Sequence, residues 1–296
     1  MRPTIIIPTL NSELTIGATL KSLKIAINNC KYSVDIEIIV VDGGSKDNTV
    51  EIINSFDDIK VFHCSKKGAA AARNIGIAHA KGDIICFTDS DCIVSKNWLN
   101  VILHSFETNP SMDGMGGPLL PYKPRNKIEL YNGRIFQEMM RYSKEFIEVQ
   151  FPSFVGSLIT ANCAYRANVL RDLGGFDESF FTSGEDIDLW WRASKSGKKL
   201  FFNPNMIVYH VFPNTIRGLF KQYYKYGIGS SKLRKKHFNN KIFIDWYLYK
   251  LLLISFLNMF SLQNEKREFN LIRSFQILSH VFGRFVGSIY SRVINL

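Results

Sequence analysis

Residues 66–91 read KKGAAAARNIGIAHAKGDIICFTDSD, and the order of elements in this stretch sets the architecture. Residues 67–80 have helical spacing built largely from alanine and glycine, which lets a helix lie close against a sheet. Residues 83–88 (DIICFT) form a short apolar run that reads as a buried strand, and it ends in Asp89-Ser90-Asp91. The same order recurs toward the N-terminus. TIIIP (4–8), IEIIVV (36–41) and KVFH (60–63) read as strands, and 12–29 and 47–56 as helices, with Ser12 and Asp47 as candidate N-caps. Strands alternating with helices imply βαβ units and a Rossmann-like α/β fold, with a mostly parallel mixed sheet flanked by helices. Ligands then bind at the carboxyl ends of the strands. The informative polar residues fall at those ends: Thr9, Asp42, Asp89 and Asp91.

Downstream the pattern is mixed, with helices expected over 96–107, 126–149 and 185–196. Strands are expected near 161–166, 199–203 and 206–211, a Gly/Pro-rich stretch covers 114–124, and Leu173-Gly174-Gly175-Phe176 reads as a turn. The division expected is a catalytic domain over 1–213 and a basic, amphipathic helical appendage over 214–296. Residues 1–213 hold 23 Lys/Arg against 23 Asp/Glu, whereas 214–296 hold 14 against 3, so the whole net charge of +11 lies in the C-terminal region. Such an excess points that region at a polyanion. The five cysteines are odd in number and lack C-x-x-C spacing, which argues against a disulfide framework or structural zinc and suits a cytoplasmic protein. The apolar run near the N-terminus is stopped by Pro8, too short for a signal-peptide core.

Two carboxylates one residue apart at a strand end repel each other, and a cation that bridges them to a phosphate removes that cost. Mg²⁺ or Mn²⁺ is the fitting ion, acting as a Lewis acid for a diphosphate leaving group. Asp42 opens DGGSKDNT (42–49), where it either hydrogen bonds a nucleobase or ribose or belongs to a simple strand-to-helix loop. Arg73 offers a planar fork to a phosphate or base, with a structural ion pair as the competing reading. Glu185, Asp186 and Asp188 open a helix, where the dipole alone could account for them. Attack by a hydroxyl still requires a base, and Asp186 is the candidate. His210, after MIVY, is a candidate metal or diphosphate ligand. The other five histidines have no carboxylate context and read as structural.

In order, TIIIPTLNSE (4–13), EIIVVDGGSKDNT (37–49), GAAAARNIGIAHAKGDIICFTDSD (68–91), TANCAYRANVLRDLGGFDE (160–178), GEDIDLWWRASKSGKKL (184–200) and VYH (208–210) resemble glycosyltransferase family 2 with its GT-A fold. The resemblance implies an inverting single displacement from a nucleotide-diphosphate sugar, with a UDP-sugar as the first expectation. By motif position it implies that Thr9, Asp42 and Arg73 hold the nucleoside. Asp89 would then contact ribose within the Asp89-Ser90-Asp91 donor motif, and Asp91 would bind the metal with His210. It further implies that Glu185 orients the donor sugar or acceptor and Asp186 is the general base. Gly43 departs from the pattern, since many relatives carry a second Asp there.

In the C-terminal region, Arg217, Lys221 and Lys225 recur every four residues as a basic stripe, followed by Lys232, Arg234, Lys235 and Lys236. LLLISFLNMFSL (251–262) is too short to span a bilayer and is expected to lie in a membrane interface or pack on the catalytic domain. The last helix repeats Leu271, Phe275, Leu278, Phe282, Phe285, Ile289 and Val293, and Gly283-x-x-x-Gly287 permits close helix packing. These features lead to two expectations: peripheral attachment to an anionic membrane at its cytoplasmic face and, as the competing use of the helices, a homodimer. IRGLFKQYYKYGIGSSKLRKK (216–236) is similar to the tails of family members that act on lipid-linked or cell-surface polysaccharide acceptors, and that resemblance implies a glycan or lipid-linked acceptor. The runner-up function is a non-catalytic membrane-surface or nucleic-acid-binding α/β protein. The acidic strand ends repel a polyanion, so no nucleic-acid partner is expected.

Overall fold

The computed structural model describes residues 1–152, 158–238 and 242–295. In chain order the first elements are β1 (Pro3–Thr9), α1 (Ile16–Asn28), β2 (Glu37–Asp42), α2 (Thr49–Asn54), β3 (Ile59–His63), α3 (Ala69–His79) and β4 (Ile84–Phe87). They are followed by β5 (Cys92–Val94), α4 (Trp98–Thr108), β6 (Gly114–Gly116), β7 (Leu119–Pro121), α5 (Lys127–Met140), β8 (Ile147–Glu148) and β9 (Cys163–Arg166). The remainder is α6 (Ala167–Asp172), α7 (Glu185–Lys195), β10 (Leu200–Phe202), β11 (Val208–His210), α8 (Ile216–His237), β12 (Ile242–Phe243), α9 (Trp246–Asn258), α10 (Asn264–Ser291) and β13 (Ile294–Asn295).

The chain divides into two compact units: 1–122, 140–181 and 185–210 form the first, and 123–139, 182–184 and 211–296 the second. The second unit thus takes in most of α5 as well as the C-terminal helices. Counted this way it carries 18 Lys/Arg and 5 Asp/Glu, while the first carries 19 and 21.

The first unit is built on an eight-stranded sheet in the order β3-β2-β1-β4-β9-β6-β10-β8. β1 to β4 are parallel, and β9 enters antiparallel between β4 and β6, so the sheet is mixed. Ile5, Ile6, Ile7, Ile39, Val40 and Val41 are fully buried, as expected for parallel strands covered on both faces. Successive strands leave β1 in opposite directions, toward β2 and β3 on one side and β4 on the other. That switch point opens a crevice at their carboxyl ends. A second sheet, β5-β11-β7, pairs His210 with Cys92 across antiparallel strands.

Two local expectations differ from the structure. Ser12 and Asp47 are not the capping residues: α1 and α2 begin after Thr15 and Asn48 with no side-chain cap. Ser12 instead offers its carbonyl to the amides of Thr15 and Ile16, and Asp47 accepts the amide of Thr49 in a local turn. The helix expected over 126–149 stops at Met140, where Arg141 takes φ 46°. Beyond it Tyr142 stacks on Phe202 and Phe146 on Phe201, while β8 pairs with β10. Aromatic packing on β10 outweighs the local helical preference there.

In the second unit α8 and α10 approach backbone to backbone. A Cβ on Gly283 would lie 2.1 Å from the Tyr224 carbonyl oxygen, and one on Gly227 would lie 2.3 Å from that of His280. Gly287 likewise faces Ile228, so the glycine stripe of α10 is used within the chain. Tyr131, Ile135, Leu219, Tyr223 and Ile272 form a small apolar core beneath it.

Candidate active site

All the residues singled out at the strand ends belong to the first unit. Thr9 and Asp42 are register partners at the ends of β1 and β2. Thr9 is 4% exposed, its carbonyl accepts the Gly43 amide, and its buried hydroxyl has no hydrogen-bond partner among the described residues. The Asp42 carboxylate accepts the amides of Gly44 and Ser45 and the Ser45 hydroxyl, so it holds the loop that the two glycines turn.

Sequence reasoning missed how that loop is fastened. Asn11 Oδ1 accepts the Lys46 amide and Ser45 Oγ accepts the Asn11 amide. Glu13 Oε2 accepts the Asn48 amide, while Thr49 Oγ1 and Asp47 Oδ2 accept the amides of Ser12 and Glu13. The loops after β1 and β2 are thereby zipped into one preformed wall. The clue in the sequence was two runs rich in Asn, Ser, Asp and Thr following adjacent strands. Ser90, between Asp89 and Asp91, joins this wall through a 2.8 Å hydroxyl contact with Ser12.

Arg73, on α3, is 3% exposed and spans two carboxylates. Its Nη2 donates to Asp89 Oδ1 at 2.7 Å and its Nη1 to Glu185 Oε1 at 2.8 Å. The Phe176 ring lies 5.7 Å from the guanidinium carbon. Burial alone would lower the Arg73 pKa, but Asp89, Glu185 and Asp186 raise it, so the group stays charged. The structural ion pair, held open in the sequence reading, is therefore what Arg73 forms. It fixes the end of β4 to the start of α7.

Asp186 is half-buried beside this pair. Burial, reinforced by the negative charge of Glu185, raises its pKa from 3.8 to about 7. Asp188, the third acidic residue of α7, has a different role. It is fully buried and accepts Arg192 Nε at 2.8 Å, while Arg192 also donates to the carbonyls of Leu173 and Gly175. Asn74 clamps the same turn by accepting the Phe176 amide and donating to its carbonyl. Gly175 is required here: its φ is +71° and a Cβ would lie 2.5 Å from Asn74 Oδ1.

On the other side of Asp89, the β5–β11 pairing brings His210 Nε2 to 3.3 Å from Asp91 Oδ1. Asn162 supports this placement by donating to the carbonyls of Pro118 and Met206, which lead into β7 and β11. Asp91, His210 and Cys92 are the one group among the described residues whose ligand atoms converge, all within 4.8 Å. Burial, and then the negative charges of Asp91 and Asp89, push the Cys92 thiol well above its usual pKa, which keeps it protonated and a poor ligand. Desolvation disfavours the Asp91 carboxylate, but His210, together with the Asp91 amide and the Cys92 thiol, outweighs it and lowers the net pKa. One carboxylate oxygen and one imidazole nitrogen suit Mn²⁺ or Mg²⁺ when phosphate oxygens and water complete the shell.

Comparisons with known proteins give the family and the fold. A pre-mycofactocin glycosyltransferase of Mycobacterium tuberculosis is 29% identical over 241 residues, covering 79% of this chain and 48% of the relative. The chain thus spans about half the length of that curated relative. The structure of Staphylococcus aureus TarS 1–349 in complex with UDP-GlcNAc superposes with a TM-score of 0.60 at 18% identity, covering 99% of this chain and 92% of that one. The mannosyltransferase PcManGT of Pyrobaculum calidifontis, in complex with GDP-Man and Mn²⁺, gives 0.55 at 17% identity, covering 97% and 73%. These neighbours share the fold, which is the GT-A arrangement. The glycosyl transferase family 2 model matches residues 4–174, and the chain belongs to that family.

Proposed function

We propose that this protein moves a sugar from a nucleotide-diphosphate sugar, with UDP as the first nucleotide to test, to a hydroxyl of a glycan or lipid-linked acceptor. One observation carries the reading: Arg73 ties Asp89, next to the Asp91–His210 pair, to Glu185, next to Asp186, through bonds of 2.7 and 2.8 Å. A diphosphate-binding side and a base are thus held on one frame, and such positioning is where much of the rate enhancement in group transfer originates.

The acceptor hydroxyl attacks the anomeric carbon as its proton passes to Asp186, and the bond from that carbon to the diphosphate breaks on the opposite face. The configuration inverts in one step and the nucleoside diphosphate departs. A base whose pKa lies near 7 is matched to this task at neutral pH. Glu185, oriented by Arg73, faces the same region and positions the sugar or acceptor. Asp91 and His210 would hold Mn²⁺ or Mg²⁺, which would supply the positive charge that a departing diphosphate needs. The zipped wall after β1 and β2 lies on the nucleoside side.

The 18 Lys/Arg against 5 Asp/Glu of the second unit support attachment to an anionic membrane surface, at the cytoplasmic face in our reading. Among the described residues no helix is long and apolar enough to cross a membrane.

Calorimetric titration with UDP- and GDP-sugars, with and without Mn²⁺, tests the donor and metal assignments. The intact chain is expected to bind one donor class in a Mn²⁺-dependent way. Asp91→Ala is expected to lose at least about tenfold in affinity, since loss of groups that merely support a metal's ligands already costs about 10–100-fold. Equal affinity of both proteins in Mn²⁺ would move the metal site elsewhere.

A further inference from the structure

Two helices of the second unit, α9 and α10, are built inside out. Along α10 the buried positions are mainly polar or small: Asn270, Ser274, Gln276, Ser279, Gly283, Arg284, Gly287 and Ser291, with Ile272 and Ile277 as apolar exceptions. The outer positions are Leu271, Leu278, Phe282, Phe285 and Ile289, each at least half exposed. At 3.6 residues per turn these five fall within a stripe of about 60°. α9 (WYLYKLLLISFLN) shows the same inversion. Its one buried residue is Ser255, while Trp246, Leu253, Phe256 and Leu257 stand in solvent, and Phe260 just beyond it is 74% exposed.

A helix that is apolar all round is stable only where something apolar covers it, in a protein core or in lipid. Helices surrounded by lipid associate through small residues and polar contacts, because apolar side chains gain nothing by turning inward. The α8–α10 crossing is of that kind, with glycines at the closest approach and the Ser231 hydroxyl donating to the Arg284 carbonyl at 3.0 Å. On α8, Phe220 and Tyr224 pack against Phe282 and extend the apolar surface.

We propose that α9 and the outer stripe of α10 insert into the interface of an anionic bilayer, so that the second unit is held by burial of apolar side chains as well as by charge. This rests on the membrane reading given above and goes beyond surface adsorption. The charge selects lipid over a second copy of the chain: the exposed Arg217, Lys221, Lys225, Lys235 and Lys236 complement an anionic surface and would repel their own copies. α9, at 13 residues, is about 20 Å long, which suits lying in the interface better than crossing a core of about 30 Å. Trp246 and Tyr247 at its start are the amphipathic rings that favour headgroup level.

The full chain is tested by flotation with phosphatidylcholine vesicles, alone or with roughly 30% phosphatidylglycerol, from about 0.1 M to about 1 M NaCl. Trp98, Trp190 and Trp191 are buried, so Trp246 fluorescence reports the insertion. Insertion predicts binding to anionic vesicles that persists in part at high salt, a blue shift, and quenching by brominated acyl chains. Trp246→Phe should abolish the optical signal while retaining flotation. Replacing Leu257 and Phe260 together by Ser should weaken binding at least about tenfold, because both side chains leave water on insertion. As both are exposed, the circular dichroism spectrum and donor affinity should stay unchanged. Release of all protein at high salt with no change in Trp246 emission overturns insertion and leaves adsorption by charge standing. Absence from anionic vesicles at every salt, with a dimer by light scattering, overturns insertion and membrane attachment together and assigns the face to a second copy.

Discussion

The outer helices of the second unit, α9 and α10, pack by the opposite rule to the first unit. The first encloses Ile5, Ile39, Val40 and their neighbours and leaves carboxylates at its strand ends, as a water-soluble α/β domain does. The second turns Ser274, Ser279 and two glycines of α10 inward and presents Leu278, Phe282 and Phe285 outward. Hydrophobic burial organises a fold only when water is the alternative. Where the apolar side chains of a helix face outward, close backbone approach and polar contacts take over the organisation. The contrast extends to charge: acidic groups predominate slightly in the first unit, and basic groups outnumber acidic ones more than threefold in the second.

The largest effect should come from the first unit's chemistry. Asp186→Asn keeps the shape but cannot accept a proton, so turnover should fall about 10²–10⁴-fold with donor affinity nearly unchanged. The intact enzyme's kcat/KM should rise with pH and level off above about 7, because the base works deprotonated and its pKa is raised to that value. The sign for stability is opposite. Asp186 binds its proton more tightly folded than unfolded, so its contribution is full below about 4 and is lost as pH climbs through 7. A pH profile flat from 5 to 8 would remove Asp186 from the mechanism.

The second unit is best probed at its helix crossing. Gly283→Leu places side-chain atoms where the Tyr224 carbonyl now sits, and backbone cannot yield as a side chain can. The cost should lie at the upper end of the roughly 1–3 kcal/mol typical of overpacking. Scanning calorimetry should show a lowered transition while donor binding by the first unit survives. An unchanged transition would mean that the glycines do not organise the second unit.

The smallest effect sharpens the first unit's conventional character. Glu37 is buried at the start of β2 and holds Thr4, Lys60 and the Lys81 amide. Burial raises its pKa, but these partners outweigh it and lower the value from 4.5 to about 2. Its contribution is therefore present above about 4.5 and is lost as pH falls toward 2. Glu37→Gln should cost about 1.5 kcal/mol at neutral pH in chemical denaturation, with less dependence on acid. Identical acid sensitivity in both proteins would assign that dependence to other carboxylates.

Much of this was legible in the residues themselves. The strands of TIIIP, IEIIVV and DIICFT fall within a residue or two of β1, β2 and β4, because continuous β-branched runs of that length suit a buried parallel sheet. Asp89 and Asp91 stood out as a candidate pair because two carboxylates one residue apart at a buried strand end repel each other, with a turn or helix cap as the competing local explanation. The role of Arg73 was not legible, since an arginine fork suits a phosphate and a carboxylate equally. Asp186 was preferred to Asp188 by its place in the motif, and what the sequence did not show is their difference in surroundings: Asp188 is sealed under Arg192, and Asp186 stays half-open beside Glu185.

The sequence by itself determined the alternation of the first ninety residues, the acidic strand ends and the basic C-terminal region, because periodicity and charge are read over a few neighbouring positions. Tertiary structure alone decided which distant groups meet. Antiparallel pairing of β11 with β5 sets His210 beside Asp91, and Arg73 joins Asp89 to a carboxylate more than a hundred positions along the chain. It also decided which face of α10 turns inward. The helix carries an apolar stripe and a small-residue stripe on opposite sides, and periodicity defines both without ranking them. That ranking comes from the backbone approach of α8, which only glycine and serine positions can admit.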